Sequence, residues 1–266
     1  MVVAGYSLAV LMGLTLGVIG GGGSILTVPI LVYLLGVTPV KATAYSLLVV
    51  GLTALVGAWR YHLQKLIRVK VGLYFAVPSV VGVWLARAWL LPWMPETLIN
   101  TAALTLTKDA FVMLLFAGMM VLVAVFMLRP QKAGPPADTP ALNYPLIAAE
   151  GFGVGVFTGI VGAGGGFLIV PALVFLAHLP IKQAVATSLA IIAAKSLIGF
   201  TGDLQAGFRP DMVLTVLFTG LTIAGMLAGV AAARRATDAH IKKAFGLLVL
   251  LLGVAILVDQ ISGILA

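Results

Sequence analysis

The sequence predicts an all-α membrane protein made of two inverted repeats, each a broken, re-entrant helical hairpin followed by three transmembrane helices. Three observations carry that prediction. The first is composition: of 266 residues, 62% are hydrophobic and 9% charged, and mean hydropathy is +1.18. Soluble domains carry about 25% charged residues. A chain this apolar belongs in lipid, with its charge confined to gaps between spans. The second is an echo. Gly20-Gly21-Gly22-Gly23-Ser24, followed by Pro29, recurs as Gly162-Ala163-Gly164-Gly165-Gly166, followed by Pro171. The third is the placing of Lys and Arg, which decides how often the chain crosses.

Only helices and closed barrels span a bilayer, because every backbone polar group must be satisfied internally. The apolar runs are rich in Leu, Ala and Val and do not alternate, so they read as helices. The first runs from about Tyr6 to Leu35 and contains the first glycine cluster. Each Gly costs roughly 1 kcal/mol relative to Ala inside a helix, so a cluster breaks it. The second lies between Lys41 and Arg60, and a basic gap follows (Arg60, His62, Lys65, Arg68, Lys70). The third runs from Val71 to about Leu91, with Trp84, Trp89 and Trp93 suited to a membrane interface. The fourth lies between Asp109 and Arg129. A Pro-rich linker over residues 130–141 separates a first repeat (1–129) from a second (142–266). The pattern then restarts. Segment five runs from about Tyr144 to Ala177 with the second glycine cluster, and segment six lies between Lys182 and Asp203. Segment seven runs from Met212 to Ala233 and segment eight from Ala244 to Val258. Ala44-Tyr-Ser46-Leu matches Ala186-Thr-Ser188-Leu, and Gly57 matches Gly199. The matched positions are mostly Gly, Pro and Ser, which marks a duplication rather than two apolar runs resembling each other.

Composition also excludes functions. There is no cysteine, hence no disulfide, thiolate site or thiol nucleophile. His62, His178 and His240 are far apart, which argues against a histidine metal site. No Gly-Lys-Ser/Thr follows either cluster, so neither is a nucleotide phosphate loop. With no paired carboxylates either, an enzyme is not expected, nor any cofactor. The net charge of +8 points to anionic lipid heads rather than nucleic acid. Met1 to Tyr6 lacks the basic region of a cleavable signal peptide. The expected location is the cytoplasmic (inner) membrane of a bacterium or archaeon.

Each flank of a glycine break is too short to span. Tyr6 to Ile19 makes about 21 Å of helix at 1.5 Å per residue, against a hydrocarbon core about 30 Å thick. Two gaps are strongly basic: that after segment two, and that after segment seven (Arg234, Arg235, Lys242, Lys243). If segment five crosses, these gaps lie on opposite faces. If it is re-entrant, both are cytoplasmic, which the positive-inside rule prefers. Six crossings and two re-entrant hairpins are therefore expected, with both termini outside and the halves running in opposite directions; ordinary crossings throughout are the alternative. The gap holding Asp203, Arg209 and Asp211 falls outside. That is the plan of many secondary transporters.

Helix N-termini at such breaks attract anions. Half-helices are expected to begin near Ile25 and Phe167, making Gly20, Gly21, Gly22, Gly23, Ser24, Gly162, Gly164, Gly165 and Gly166 candidate substrate contacts. Close helix packing is the plainer role for such glycines. Lys195, in the middle of segment six, costs about 2.5–3.5 kcal/mol at the helix centre. No Asp or Glu is expected as deep, so a bound anion becomes its natural partner. Thr43, Ser46, Thr187 and Ser188 are candidate hydroxyl donors at matched positions, although such hydroxyls also bond the preceding turn.

Gly13 to Leu48 and Gly155 to Leu189 resemble the paired signature of the TauE/SafE sulfite exporter family, the 4-toluene sulfonate uptake permease group: a Gly-rich turn, the proline after it, and Ala-x-Ser-Leu. Arg234-Arg235 through His240-Ile-Lys-Lys-Ala-Phe-Gly resembles that family's last two helices. The resemblance implies a transporter of a small sulfur-containing or organic anion. Sulfite or an organosulfonate is the expected substrate, carried by alternating access around a midplane site. A passive anion channel is the alternative. Lys195 lies outside the residues that carry the resemblance. Proton coupling and homodimer formation stay open.

Overall fold

A computed structural model describes residues 2–101, 104–128, 144–161, 166–175, 177, 179–233 and 238–265. The linker 130–141, Gly162 to Gly165 and Arg234–Arg235 lie outside the described residues. The first helix, α1 (Val2–Ile19), stops at the glycine cluster. Gly20 takes φ of +75°, a left-handed conformation that only glycine adopts cheaply. The chain goes on as a 3-10 turn (Gly20–Leu26), a short α2 (Thr27–Pro29) and a π turn (Ile30–Leu34). This arm lies back along α1. Gly23 packs on Leu16, the Thr27 hydroxyl donates to Met12 Sδ at 3.2 Å, and Gly5 faces Leu34 and Leu35. The break is therefore the tip of a hairpin. The half-helix expected near Ile25 turns α-helical at Thr27, and a 3-10 coil precedes it. Four glycines in a row forgo α propensity, and the tighter 3-10 coil begins at Gly20 itself.

Helix α3 (Pro39–His62) follows, with proline in its first turn, where no N–H is needed. Next come α4 (Val69–Leu85), a π turn (Ala86–Leu90) and α5 (Leu91–Trp93), which run on as one rod. Then β1 (Thr97–Thr101) and β2 (Leu104–Thr107) pair antiparallel, with Ile99 opposite Leu106 and Asn100 opposite Thr105. This short hairpin is an addition to a chain otherwise helical, as expected, among the described residues. Its signal was the Thr/Leu alternation, which suits a strand and not a span. Helix α6 (Lys108–Leu128) closes the first half. The second half holds α7 (Tyr144–Val161), α8 (Gly166–Phe175), α9 (Ile181–Gln205), α10 (Met212–Ala232) and α11 (Asp238–Leu265). The Asp211 carboxylate caps α10, accepting from the N–H groups of Val213 and Leu214.

Packing between the halves is reciprocal. α1 lies against α10, and α4 against α7, while α3 meets α9 and α6 meets α11. Glycines fix the first two contacts at backbone distance. A Cβ on Gly13 would strike the Thr222 carbonyl oxygen, one on Gly17 that of Met226, one on Gly225 that of Val10, and one on Gly229 that of Leu14. The order rises together in both helices, so α1 and α10 are parallel. In the same way Gly151 meets the Phe75 carbonyl and Gly155 that of Ser79, so α7 and α4 are parallel. Thr53 bonds Thr222 and Gly57 packs on Met226, which makes α3 parallel to α10. Gly72 packs on Thr187 and Gly199 on Val83, which makes α9 parallel to α4. Gly51 meets Leu197 while Gly57 meets Leu189, so α3 and α9 are antiparallel.

Five described helices are long and apolar enough to cross a membrane: Pro39–His62, Val69–Trp93, Lys108–Val125, Lys182–Gln205 and Met212–Ala232. The apolar part of α11, Val249–Ile264, is shorter, although the helix has 28 residues. Leu73, Val77, Val81, Val216, Leu251 and Val258 are among the large exposed apolar side chains, as befits a lipid-facing surface.

Candidate functional site

The two glycine breaks meet. A Cβ on Gly21 would overlap the Cα of Gly166, one on Gly166 would overlap the Cα of Gly21, and Ile192 of α9 is wedged against both. Glycine is required here for that reason: two backbones touch. Gly20 lies against the Ser188 hydroxyl and Val185, while Gly23 packs back on Leu16 within its own hairpin. Gly22 continues the 3-10 turn. Ser24 is buried and donates to the Gly21 carbonyl at 2.7 Å, which steadies the tip.

Helix α9 carries the site. Ser188, Ile192, Lys195, Gly199 and Gly202 recur at spacings of three and four, forming one stripe. Lys195 therefore sits one turn beyond the glycine contact. It is 0% exposed, and its Nζ donates to the Thr158 hydroxyl at 2.8 Å. No carboxylate pairs with it among the described residues. A primary ammonium has three donors, and a neutral hydroxyl does not balance its charge. The equivalent position in the first half is Thr53, whose hydroxyl instead meets that of Thr222 at 2.9 Å. The two matched positions thus differ: Thr53 makes a hydroxyl–hydroxyl contact and Lys195 brings an amine.

The predicted hydroxyl donors are partly brought together. Ser188 lies at the glycine contact and donates to the Val185 carbonyl at 2.8 Å. Ser46 is fully buried, and its Oγ has no partner among the described residues. Thr43 donates to the Val40 carbonyl at 2.7 Å. Thr187 turns elsewhere: its Oγ accepts the Arg68 N–H at 3.0 Å, at the start of α4. Gly162, Gly164 and Gly165 lie outside the described residues.

No Asp or Glu was expected as deep as Lys195, and the two carboxylates with buried oxygens lie nearer the ends of their helices. Asp203 belongs to α9 rather than to an exterior gap, is 6% exposed, and accepts from Arg87 Nη1 at 3.1 Å. Glu150 of α7 also has a buried Oε2 without a partner among the described residues. In sequence Arg87 and Asp203 both resemble membrane-end anchors, and their pairing across the halves left no local signal. Thr158 was equally silent, since a threonine in an apolar helix is commonplace. Two grooves, of about 560 and 490 Å³, are lined by apolar side chains such as Leu55, Trp59 and Ile67, or Leu8, Pro29 and Leu252. Neither includes a candidate residue, and lipid suits them better than an anion.

A sequence model of the family described as sulfite exporter TauE/SafE matches residues 6–256. The chain is 28% identical over 256 residues to a "Probable membrane transporter protein" of Xylella fastidiosa strain Temecula1, covering 93% of this chain and 91% of the relative. It is 27% identical to the "Probable membrane transporter protein YunE" of Bacillus subtilis strain 168, covering 96% and 98%. A Methanocaldococcus jannaschii protein, also named a "Probable membrane transporter protein", is 26% identical over 75% of this chain and 72% of its own. No solved structure matches the chain.

Proposed function

We propose, from the premise that the chain belongs to the TauE/SafE sulfite exporter family, that it is a secondary-active carrier of a small oxyanion, sulfite or an organosulfonate. Family and relatives make it a multi-pass membrane transporter; substrate, site and mechanism are the proposal. The observation that carries it is Lys195, a fully buried lysine whose Nζ has a neutral hydroxyl for a partner. A charge at that depth is costly, and an anion is what would offset it. The touching glycines, one turn back along α9 where Ile192 packs on them, bring two backbones together without side chains of their own, and α8 adds a helix N-terminus at Gly166.

Alternating access is supported by the helix directions. Equivalent helices α3 and α9 are antiparallel, as expected of inverted repeats that rock against each other. The hairpin at Gly20 supports a re-entrant element, because α1 and α3 run the same way and the chain must return between them. The parallel course of α3 and α10 also favours putting both basic gaps on one face.

Uptake of radiolabelled sulfite into proteoliposomes tests the proposal. Wild type should show saturable uptake and counterflow. Lys195→Met should lower kcat/KM by about 10- to 100-fold, the equivalent of losing a charged hydrogen bond of about 1.5–3 kcal/mol. Lys195→Arg should retain part of it. Wild-type rates in Lys195→Met would sink the site; single-channel currents would make the protein a channel.

A further inference from the structure

Arg87 and Asp203 form a second charged site, which the reading above leaves unused. Arg87 is 0% exposed, lies in the π turn Ala86–Leu90, and packs its Cβ on Gly202. Its Nη1 donates to Asp203 Oδ1 at 3.1 Å. Its Nε and Nη2 are buried with no hydrogen-bond partner among the described residues, as is Asp203 Oδ2. A pair that served only to fasten α4 to α9 would gain most by closing a two-point fork on both carboxylate oxygens. Here a single contact is made, and the buried Nε–Nη2 edge of the guanidinium is left without an acceptor among the described residues. Burying N–H donors without acceptors is unfavourable. The Nε–Nη2 edge is also the geometry that grips two oxygens of one oxyanion.

Its placing adds to the case. Asp203 follows Lys195 by eight residues on α9, about 12 Å along the axis. Ser79 on α4 and Ser196 on α9, both with fully buried and unpartnered hydroxyls, belong to the same helix pair. α4 runs from the basic gap toward Trp93, so Arg87 lies between Lys195 and the face opposite the basic gaps.

We propose that Arg87 is a second anion-binding station, taking one small oxyanion through its Nε–Nη2 edge while Asp203 holds the guanidinium by Nη1. The proposal rests on the transport reading and deepens it. An anion bound at Lys195 hands over to Arg87, and like-charge repulsion between two bound anions keeps either from being held too tightly, as in multi-ion pores.

Equilibrium binding of radiolabelled sulfite to the detergent-purified full chain tests this. Wild type should bind two sulfites per chain. Arg87→Lys, which keeps the charge and the partner for Asp203 but not the fork, should bind one, more tightly than wild type binds its second. The neutral pair Arg87→Gln/Asp203→Asn, which leaves no buried charge unpaired, should also bind one. Lys195→Met should lose the other. A wild-type stoichiometry of one, abolished by Lys195→Met and untouched by either Arg87 variant, would overturn the second station and leave the transport reading standing. No saturable binding by wild type would overturn both.

Discussion

Lys195 and Thr53 hold equivalent positions in the two halves and behave oppositely. Thr53 pairs with Thr222 across the halves, whereas Lys195 brings a charge and finds Thr158. A buried lysine kept for binding should be a stability cost. Lys195→Thr is therefore expected to raise stability by about 1–3 kcal/mol while abolishing sulfite uptake. Thermal unfolding in detergent checks it, and a variant less stable than wild type would argue that Lys195 is structural. Asp203→Ala should do the reverse, costing about 3–5 kcal/mol by leaving Arg87 uncompensated. The same melt reads it, and an unchanged midpoint would mean that the pair is solvated. Lys195 was legible because a charge inside an apolar run stands out by itself. Arg87 and Asp203 were not. Each sits near the end of its run, where charge usually marks the interface, and only a contact over 116 positions of chain joins them.

Among the elements, glycine has two separate uses. At Gly20 it supplies a positive φ and at Gly21 and Gly166 a backbone contact, so the first break touches the start of α8. Along α1, α7 and α10 it lets helices pack at backbone distance, as small residues do in membranes. Gly225→Leu should cost at least about 1–3 kcal/mol by overpacking, since its Cβ meets the Val10 carbonyl. Gly118→Ala on α6, where a Cβ meets nothing within 4 Å, should be neutral or stabilising by up to about 1 kcal/mol. Comparing the two melting temperatures separates packing from propensity, and equal shifts would refute the assignment. The break was plain in the sequence because four consecutive glycines have no helical use. Its 3-10 course was not, because backbone handedness after a break depends on what the arm packs against.

For the whole molecule, helix directions predict sidedness. α3 and α10 end on the same face, and α9 ends on the other. The chain has no cysteine, so single substitutions report cleanly. Lys70→Cys and Arg209→Cys are expected to react with a membrane-impermeant maleimide from opposite sides. Labelling of both from one side would break the inverted arrangement.

The sequence alone determined the solvent of this protein, its helical character and the position of its first break. These follow from local chemistry: apolar length, glycine propensity and the spacing of charge. Tertiary structure decided which breaks touch, which polar side chains find partners and which buried donors do not. Those outcomes depend on residues far apart in the chain reaching backbone distance, and periodicity within one helix carries no record of its neighbour.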